Sequence, residues 1–251
     1  MIREQNVICI QPEYPLLPET NGRGIIACQT KIISWIFERL PLVIKDKNPF
    51  LKIDWRVHLS GSSFGGGLAL DLAFNAIPSH PNPPADLRIK LHIRYGLTKL
   101  YSKEPGDYMG VPVSRKEAEA YSHRVREMRD AGVMLIPVAG RVPPNGMHLA
   151  YCTSVSGTWE YFWEFESIWE RLERNTSPLP YKLAVRLDHG KSDRSVPYKD
   201  TVELEEMLKA KYPETKIEVH LIEGKDHGYD YNDGWELMKP WYLEWKMPRQ
   251  H

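Results

Sequence analysis

The 251-residue chain sets 33 Lys and Arg against 33 Asp and Glu, so no net field draws it to nucleic acid or to an anionic membrane, and a small neutral or weakly polar partner is expected. Its three cysteines, Cys9, Cys28 and Cys152, are odd in number and lack CxxC or Cys/His spacing, which signals neither a disulfide framework nor a zinc or other metal site. No apolar run reaches membrane-span length and the opening MIREQNVICIQPEYP lacks a secretory-signal layout; a soluble cytoplasmic protein with one large core is therefore expected, its oligomeric state open.

In chain order, NVICIQ (6–11) reads as a short strand, followed by the proline-rich turn PEYPLLPET. Residues 24–40 place Ile25, Ile26, Ile32, Ile33, Ile36, Phe37 and Leu40 on one helical face, with Pro41 expected to end the helix. A strand over 55–60 runs into a glycine corner and a helix to about Ala76, and LRIKLHIRY (87–95) alternates with period two as a further strand. YKLAVRL (181–187) and KIEVHLI (216–222) read as strands, with a helix opening near Pro197 between them and a last amphipathic helix from about Asp233. Strands alternating with helices predict an α/β domain: a mostly parallel sheet with helices on both faces.

The exception is 96–178, where helical patterns at 114–130 and 159–173 flank the Gly/Pro segment GRVPPNGM. The stretch is rich in aromatics: Tyr108, Tyr151, Trp159, Tyr161, Phe162, Trp163, Phe165 and Trp169. An insertion this long between sheet strands is a candidate helical cap or lid within a single 1–251 domain, although the same aromatics suit a satellite core.

The corner itself, VHLSGSSFGGGLALDLA (57–73), fits G-x-S-x-G as Gly61-Ser62-Ser63-Phe64-Gly65. A strand turning abruptly into a helix strains the central residue and pushes its hydroxyl out at the top of the sheet, and Gly61 and Gly65 are expected to keep side chains from colliding there. The helix N-terminus beside Ser63 favours nearby negative charge. A phosphate cradle is the competing reading, but no Lys-Ser/Thr follows the last glycine and no G-x-G-x-x-G occurs. A tight turn with an idle serine is the structural alternative.

A serine hydroxyl needs a base to take its proton, and the base needs a carboxylate to hold its tautomer. In a sheet of this kind the acid and then the histidine follow later strands. DHGKSDRSVPY follows the 181–187 strand and EGKDHGYD the 216–222 strand, and parallel strands present their C-terminal ends together. Asp193 sits deeper in the first loop than Asp188, and His227 is the histidine of the second. His189 belongs to the loop assigned to the acid; His58, His92 and His220 lie inside expected strands and read as satisfied core or surface groups; Asp226 points elsewhere if His227 faces the serine.

These motifs resemble the α/β-hydrolase superfamily and, within it, the hormone-sensitive-lipase-like (α/β hydrolase fold-3) esterases, fungal members included. GSSFGGGLA looks like their nucleophile elbow, HGKSDRSVP (189–197) their acid loop, GKDHGYD (224–230) their histidine loop, and EYPLLPE (13–19) the turn after an early strand. The resemblance implies Ser63 as nucleophile, His227 as base then acid and Asp193 as its partner, in a lipase-like serine carboxylesterase with no metal or organic cofactor and a small-molecule ester as substrate. Their HGGG-type oxyanion motif has no counterpart upstream of residue 7. That departure implies either an N-terminally shortened chain or an incomplete gene model, with the Phe64 backbone N–H as the remaining identifiable oxyanion donor and an unpaired central strand edge. It also keeps open a catalytically impaired homologue that binds a small apolar ligand or a protein partner.

Overall fold

In the computed structural model, which describes residues 7–18, 20–96, 106–108, 111–132 and 148–230, Asn21 opens the first helix by accepting the Gly24 N–H on its side chain at 3.0 Å. This helix, α1 (Gly22–Ser34), buries Ile25, Ile26 and Ile33. It does not stop at Pro41: a widened turn over Trp35–Arg39, closed by the Leu40 N–H bonding Trp35 O, leads into α2 (Leu40–Lys47). Proline is disfavoured inside a regular helix because it lacks a donor and its ring crowds the carbonyl four residues back; the wider turn places Pro41 at the start of a fresh helix instead. The expected strand at 6–11 is also corrected. Residues 7–11 make no strand pairing among the described residues, and Val7 and Ile8 leave 54 and 53 % of their surface exposed, so the apolar run finds no sheet on which to bury a face.

The chain divides into two compact units, the first drawn from residues 1–57, 70–89 and 99–182 and the second from 58–69, 90–98 and 183–251. The second carries most of a four-stranded sheet of order β1 (Arg56–Ser62), β2 (Arg88–Arg94), β5 (Lys182–Gly190), β6 (Lys216–Ile222). It is a parallel sheet, with Ala184 opposite Lys216 and Gly190 opposite Ile222 in the last pair. Here α3 (Phe64–Asp71) follows β1 directly, and α8 (Tyr198–Lys211), which links β5 to β6, buries Leu204 and Leu208. The period-two alternation of β2 sends Leu91 and Ile93 to one face and Lys90 and His92 to the other, and all four are buried. His92 is neutral, its affinity for a proton lowered chiefly by burial, and donates Nε2–H to Asp188 at 2.9 Å; Arg186 matches that carboxylate's charge from 2.8 Å. Burial and the neighbouring His92 and Lys90 also push His58 down, to about 3. His92 is thus a core group held through its Nε2, whereas His220 lies on the surface.

In the first unit a short antiparallel hairpin, β3 (Gly106–Tyr108) with β4 (Val111–Val113), precedes α4 (Arg115–Asp130). Then follow α5 (His148–Ser156), α6 (Glu160–Trp163) and α7 (Ile168–Arg174). The expected helix at 159–173 is therefore two, broken where Glu164 takes a left-handed conformation (φ 48°) and Ser167 starts α7 with a capping box. Phe162 packs with Val125 and Leu149, and Cys152 with Val113, Ala118 and Val155. The GRVPPNGM segment, the Tyr108 side chain and the expected helix from Asp233 lie outside the described residues. Among the described residues, no helix is long and apolar enough to cross a membrane.

Candidate active site

The corner after β1 is tight in a measurable way. Ser63 has φ 51°, in the left-handed region that an L residue occupies only at a cost. Its N–H bonds Arg94 O at 3.0 Å, and its own carbonyl accepts from Gly66 and Gly67 at 2.9 and 3.3 Å. A Cβ on Gly61 would lie 2.2 Å from the Gly65 carbonyl oxygen, so glycine is required at that position. Gly65 is different: a Cβ there would meet nothing within 4 Å, because it is the backbone of this residue that comes close to Gly61. The second crowded position is Gly66, where a Cβ would stand 2.9 Å from Ile93 Cγ2. Phe64 is the first residue of α3, which sets its N–H at the helix N-terminus next to Ser63.

The loops after β5 and β6 are laced together by main-chain bonds. Lys191 N–H reaches Ile222 O at 2.9 Å and Ser192 N–H reaches Lys225 O at 3.0 Å. Gly190 permits this approach, since a Cβ there would fall 2.2 Å from Lys225 O. Asp226 is taken up by other partners, accepting from the Arg194 N–H at 3.0 Å, the Arg194 Nε at 2.7 Å and the His227 N–H at 2.8 Å.

The lacing brings three side chains into line. His227 Nδ1 lies 2.8 Å from Asp193 Oδ2, and its Nε2 lies 3.1 Å from Ser63 Oγ. A carboxylate only accepts, so Nδ1 carries the hydrogen and Nε2 is left to accept the serine O–H. The Asp193 side chain is wholly buried, and burial alone would push its carboxyl up. Hydrogen bonds from His189, His227 and the Val196 N–H outweigh that effect and hold it far below the usual carboxylate range. Its Oδ1 accepts from Ser195 and Val196 N–H at 2.7 and 2.8 Å. The other acid weighed for this loop, Asp188, lies inside β5 and is taken up by His92 and Arg186.

Two further contacts were not read from the sequence. The Tyr95 ring lies against the His227 imidazole, with centroids 4.4 Å apart. Its hydroxyl and Arg94 Nη1 both donate to the carboxylate of Asp230, three residues beyond His227. Burial, then the hydrogen bond to Asp230 and after it the Asp230 charge, raises the Tyr95 pKa, so the phenol keeps its proton. Tyr95-Gly96 at the end of β2 was the available signal, because a residue just past a strand's C-terminal end projects where the other loops meet. The arrangement can shuttle a proton between a hydroxyl and an imidazole whose charged form faces a fixed carboxylate. Among the described residues, no group of three His, Cys, Asp or Glu side chains could hold a metal ion.

No family model matches the chain, and no curated protein matches it in sequence. Solved structures do match. A thermophilic esterase from the planctomycete Thermogutta terrifontis has a TM-score of 0.52 at 16 % identity, with 95 % of this chain and 71 % of that one covered. A bromoperoxidase from Bacillus anthracis has a TM-score of 0.46 at 17 % identity, covering 92 and 76 %. Esterase B from Lactobacillus rhamnosis has 0.46 at 14 %, covering 92 and 64 %. At such identities the likeness is one of fold, and the parallel sheet with its helices is the α/β-hydrolase fold.

Proposed function

We propose that the chain is a serine hydrolase that cleaves carboxylic esters through an acyl-enzyme. Ser63 Oγ attacks the ester carbonyl while His227 Nε2 takes its proton, and the imidazolium formed is stabilised by Asp193 across Nδ1–H. The carbonyl oxygen, now negative, faces the N-terminus of α3, where the Phe64 N–H is the donor we assign to it. Collapse of the tetrahedral adduct expels the alcohol, which receives the proton from His227, and water then repeats the sequence to release the acid and restore Ser63.

The observation that carries this reading is the unbroken relay of 3.1 and 2.8 Å from Ser63 through His227 to Asp193. The left-handed strain stored at Ser63 supports it too, since such strain persists where surrounding structure enforces it. Placement among the hormone-sensitive-lipase-like esterases, fungal ones included, rests on the four sequence motifs and is part of the same proposal, with a small uncharged ester as the substrate. The free cysteines Cys9, Cys28 and Cys152 agree with a reducing cytoplasmic setting.

A fluorophosphonate probe tests the assignment. The intact chain should be labelled at Ser63 and should hydrolyse p-nitrophenyl esters of short acyl chains, with Ser63→Ala lowering kcat by on the order of 10⁴ to 10⁶-fold. Labelling that persists in Ser63→Ala would overturn it, and an unreactive wild type that binds an acyl compound saturably would favour a ligand-binding homologue.

A further inference from the structure

Asp193 is held by more than the histidine it serves. We propose that His189 is a positioning residue that fixes the Oδ2 atom of Asp193 on which His227 rests, so that one carboxylate oxygen is shared by two imidazoles. This deepens the hydrolase reading and rests on it.

His189 lies in β5 opposite Leu221 of β6 and is fully buried. Its Nε2 stands 3.0 Å from Val196 O and 3.2 Å from Asp193 Oδ2, and its Nδ1 stands 2.6 Å from the Thr201 hydroxyl on α8. A carbonyl and a carboxylate can only accept, so Nε2 carries a hydrogen shared between them, and Nδ1 accepts from Thr201 O–H. A core position that needed only volume would take an aliphatic side chain, because burying an imidazole costs free energy unless its nitrogens are hydrogen-bonded. Here every partner belongs to the acid loop or to the first turn of the helix that follows it.

The geometry divides the labour at the carboxylate. Oδ1 is pinned by the Ser195 and Val196 amides, whereas Oδ2 is met by two side chains, of which His227 must change its protonation during turnover on the proposed reading. With His189 present, Oδ2 keeps a donor through the whole cycle and need not swing toward or away from His227 as charge appears there. Neighbouring charges do not duplicate this role: Arg194 and Asp226 are engaged with each other, and Arg94 and the Tyr95 hydroxyl with Asp230.

The test uses the intact chain with His189→Leu, His189→Gln and Thr201→Val. Three readouts are taken: kcat and KM on p-nitrophenyl acetate, thermal midpoint, and the low-field proton resonance of the His227 Nδ1–H. His189→Leu should lower kcat by about 10- to 100-fold with KM within about twofold, the scale expected when a reacting group loses its alignment, and should move the low-field resonance. His189→Gln, whose amide N–H reaches the place of Nε2, should recover most of kcat and return the resonance toward its wild-type position. Thr201→Val removes the hydroxyl that fixes the tautomer and should fall between the two. Unchanged kcat and resonance in folded His189→Leu overturn the proposal, as does a folded His189→Gln no better than the leucine variant. If His189→Leu does not fold, the other two decide: wild-type kcat and resonance in Thr201→Val overturn it, and a loss there supports it when His189→Gln keeps most of kcat and overturns it when His189→Gln does not. A wild type unreactive toward the fluorophosphonate sinks the hydrolase reading alone. The resonance then decides His189, supported by a shift in the leucine but not the glutamine variant and refuted otherwise.

Discussion

Several serine and threonine side chains on the helices of the first unit find partners within about a turn of themselves. Ser122 bonds the carbonyl of Ala118 at 2.9 Å and Thr153 that of Leu149 at 2.9 Å; Ser114 with Glu117 and Ser167 with Glu170 close capping boxes. At the strand ends of the second unit the partners are remote: His227 and Asp193 are 34 positions apart, His92 and Asp188 96, and His227 and Ser63 164. Local bonds form wherever their helix forms and serve mainly its stability. Remote ones exist only when the sheet has assembled, and each must offset the entropy of ordering distant segments. A buried polar group satisfied at long range, at the carboxyl end of a parallel strand, is the better sign of a site than burial or polarity taken alone.

Matched substitutions of buried acids would break that distinction most sharply. Asp193→Asn should leave the fold in place and lower kcat by about 10⁴-fold, as when an orienting carboxylate is neutralised and its histidine takes the wrong tautomer. In the first unit, Asp71 is equally buried and holds Arg171 at 2.7 Å and Asn75 at 2.8 Å. Asp71→Asn should cost about 3 kcal/mol of stability by leaving a part-buried guanidinium without its counter-charge, while the fluorophosphonate rate per folded molecule stays unchanged. Urea denaturation and labelling kinetics on the two variants check both; a reversal, with activity lost at Asp71 and stability at Asp193, would refute the division.

A smaller effect is expected at the helix caps. Ser114→Ala and Ser167→Ala remove the oxygens that accept the Glu117 and Glu170 N–H groups at 3.3 and 3.1 Å, each at a cost of about 1 kcal/mol. The denaturation midpoint should fall with its slope unchanged, and labelling of Ser63 should not respond. Loss of labelling in either variant would mean that these helices do more than hold themselves together.

The same contrast explains what was legible in the sequence. Loop order after successive strands singled out Ser63, Asp193 and His227, and the structure places these three within hydrogen-bonding distance in series; their roles rest on the proposal. Periodicity placed KIEVHLI as a strand over the same residues the structure shows, 216–222. NVICIQ was misplaced because a short apolar run of strand type records a tendency to pair and cannot supply the partner strand. Pro41 misled because a widened turn just before it absorbs the missing donor. The hairpin of β3 and β4 was overlooked, each strand being three residues long. Tyr95, Asp230 and the part taken by His189 escaped because each depends on which strand lies beside which, and a single sequence does not record adjacency.

The smallest predicted effect falls inside the motif that first drew attention to the site. G-x-S-x-G spacing gives Gly61 and Gly65 equal weight, yet only the first is crowded, and a Cβ at Gly65 would enter open space. Alanine is the better helix former, so Gly65→Ala should leave the thermal midpoint unchanged or raise stability by up to about 1 kcal/mol. Hydrolysis then reports what the open space is for. The methyl would stand two residues past Ser63, so a KM that climbs with the size of the ester would assign that space to the substrate, and a KM indifferent to size would assign it to solvent. A drop in stability of more than about 1 kcal/mol would show instead that the corner is tight on both sides, and the steric account of Ser63 would have to be rebuilt around both glycines.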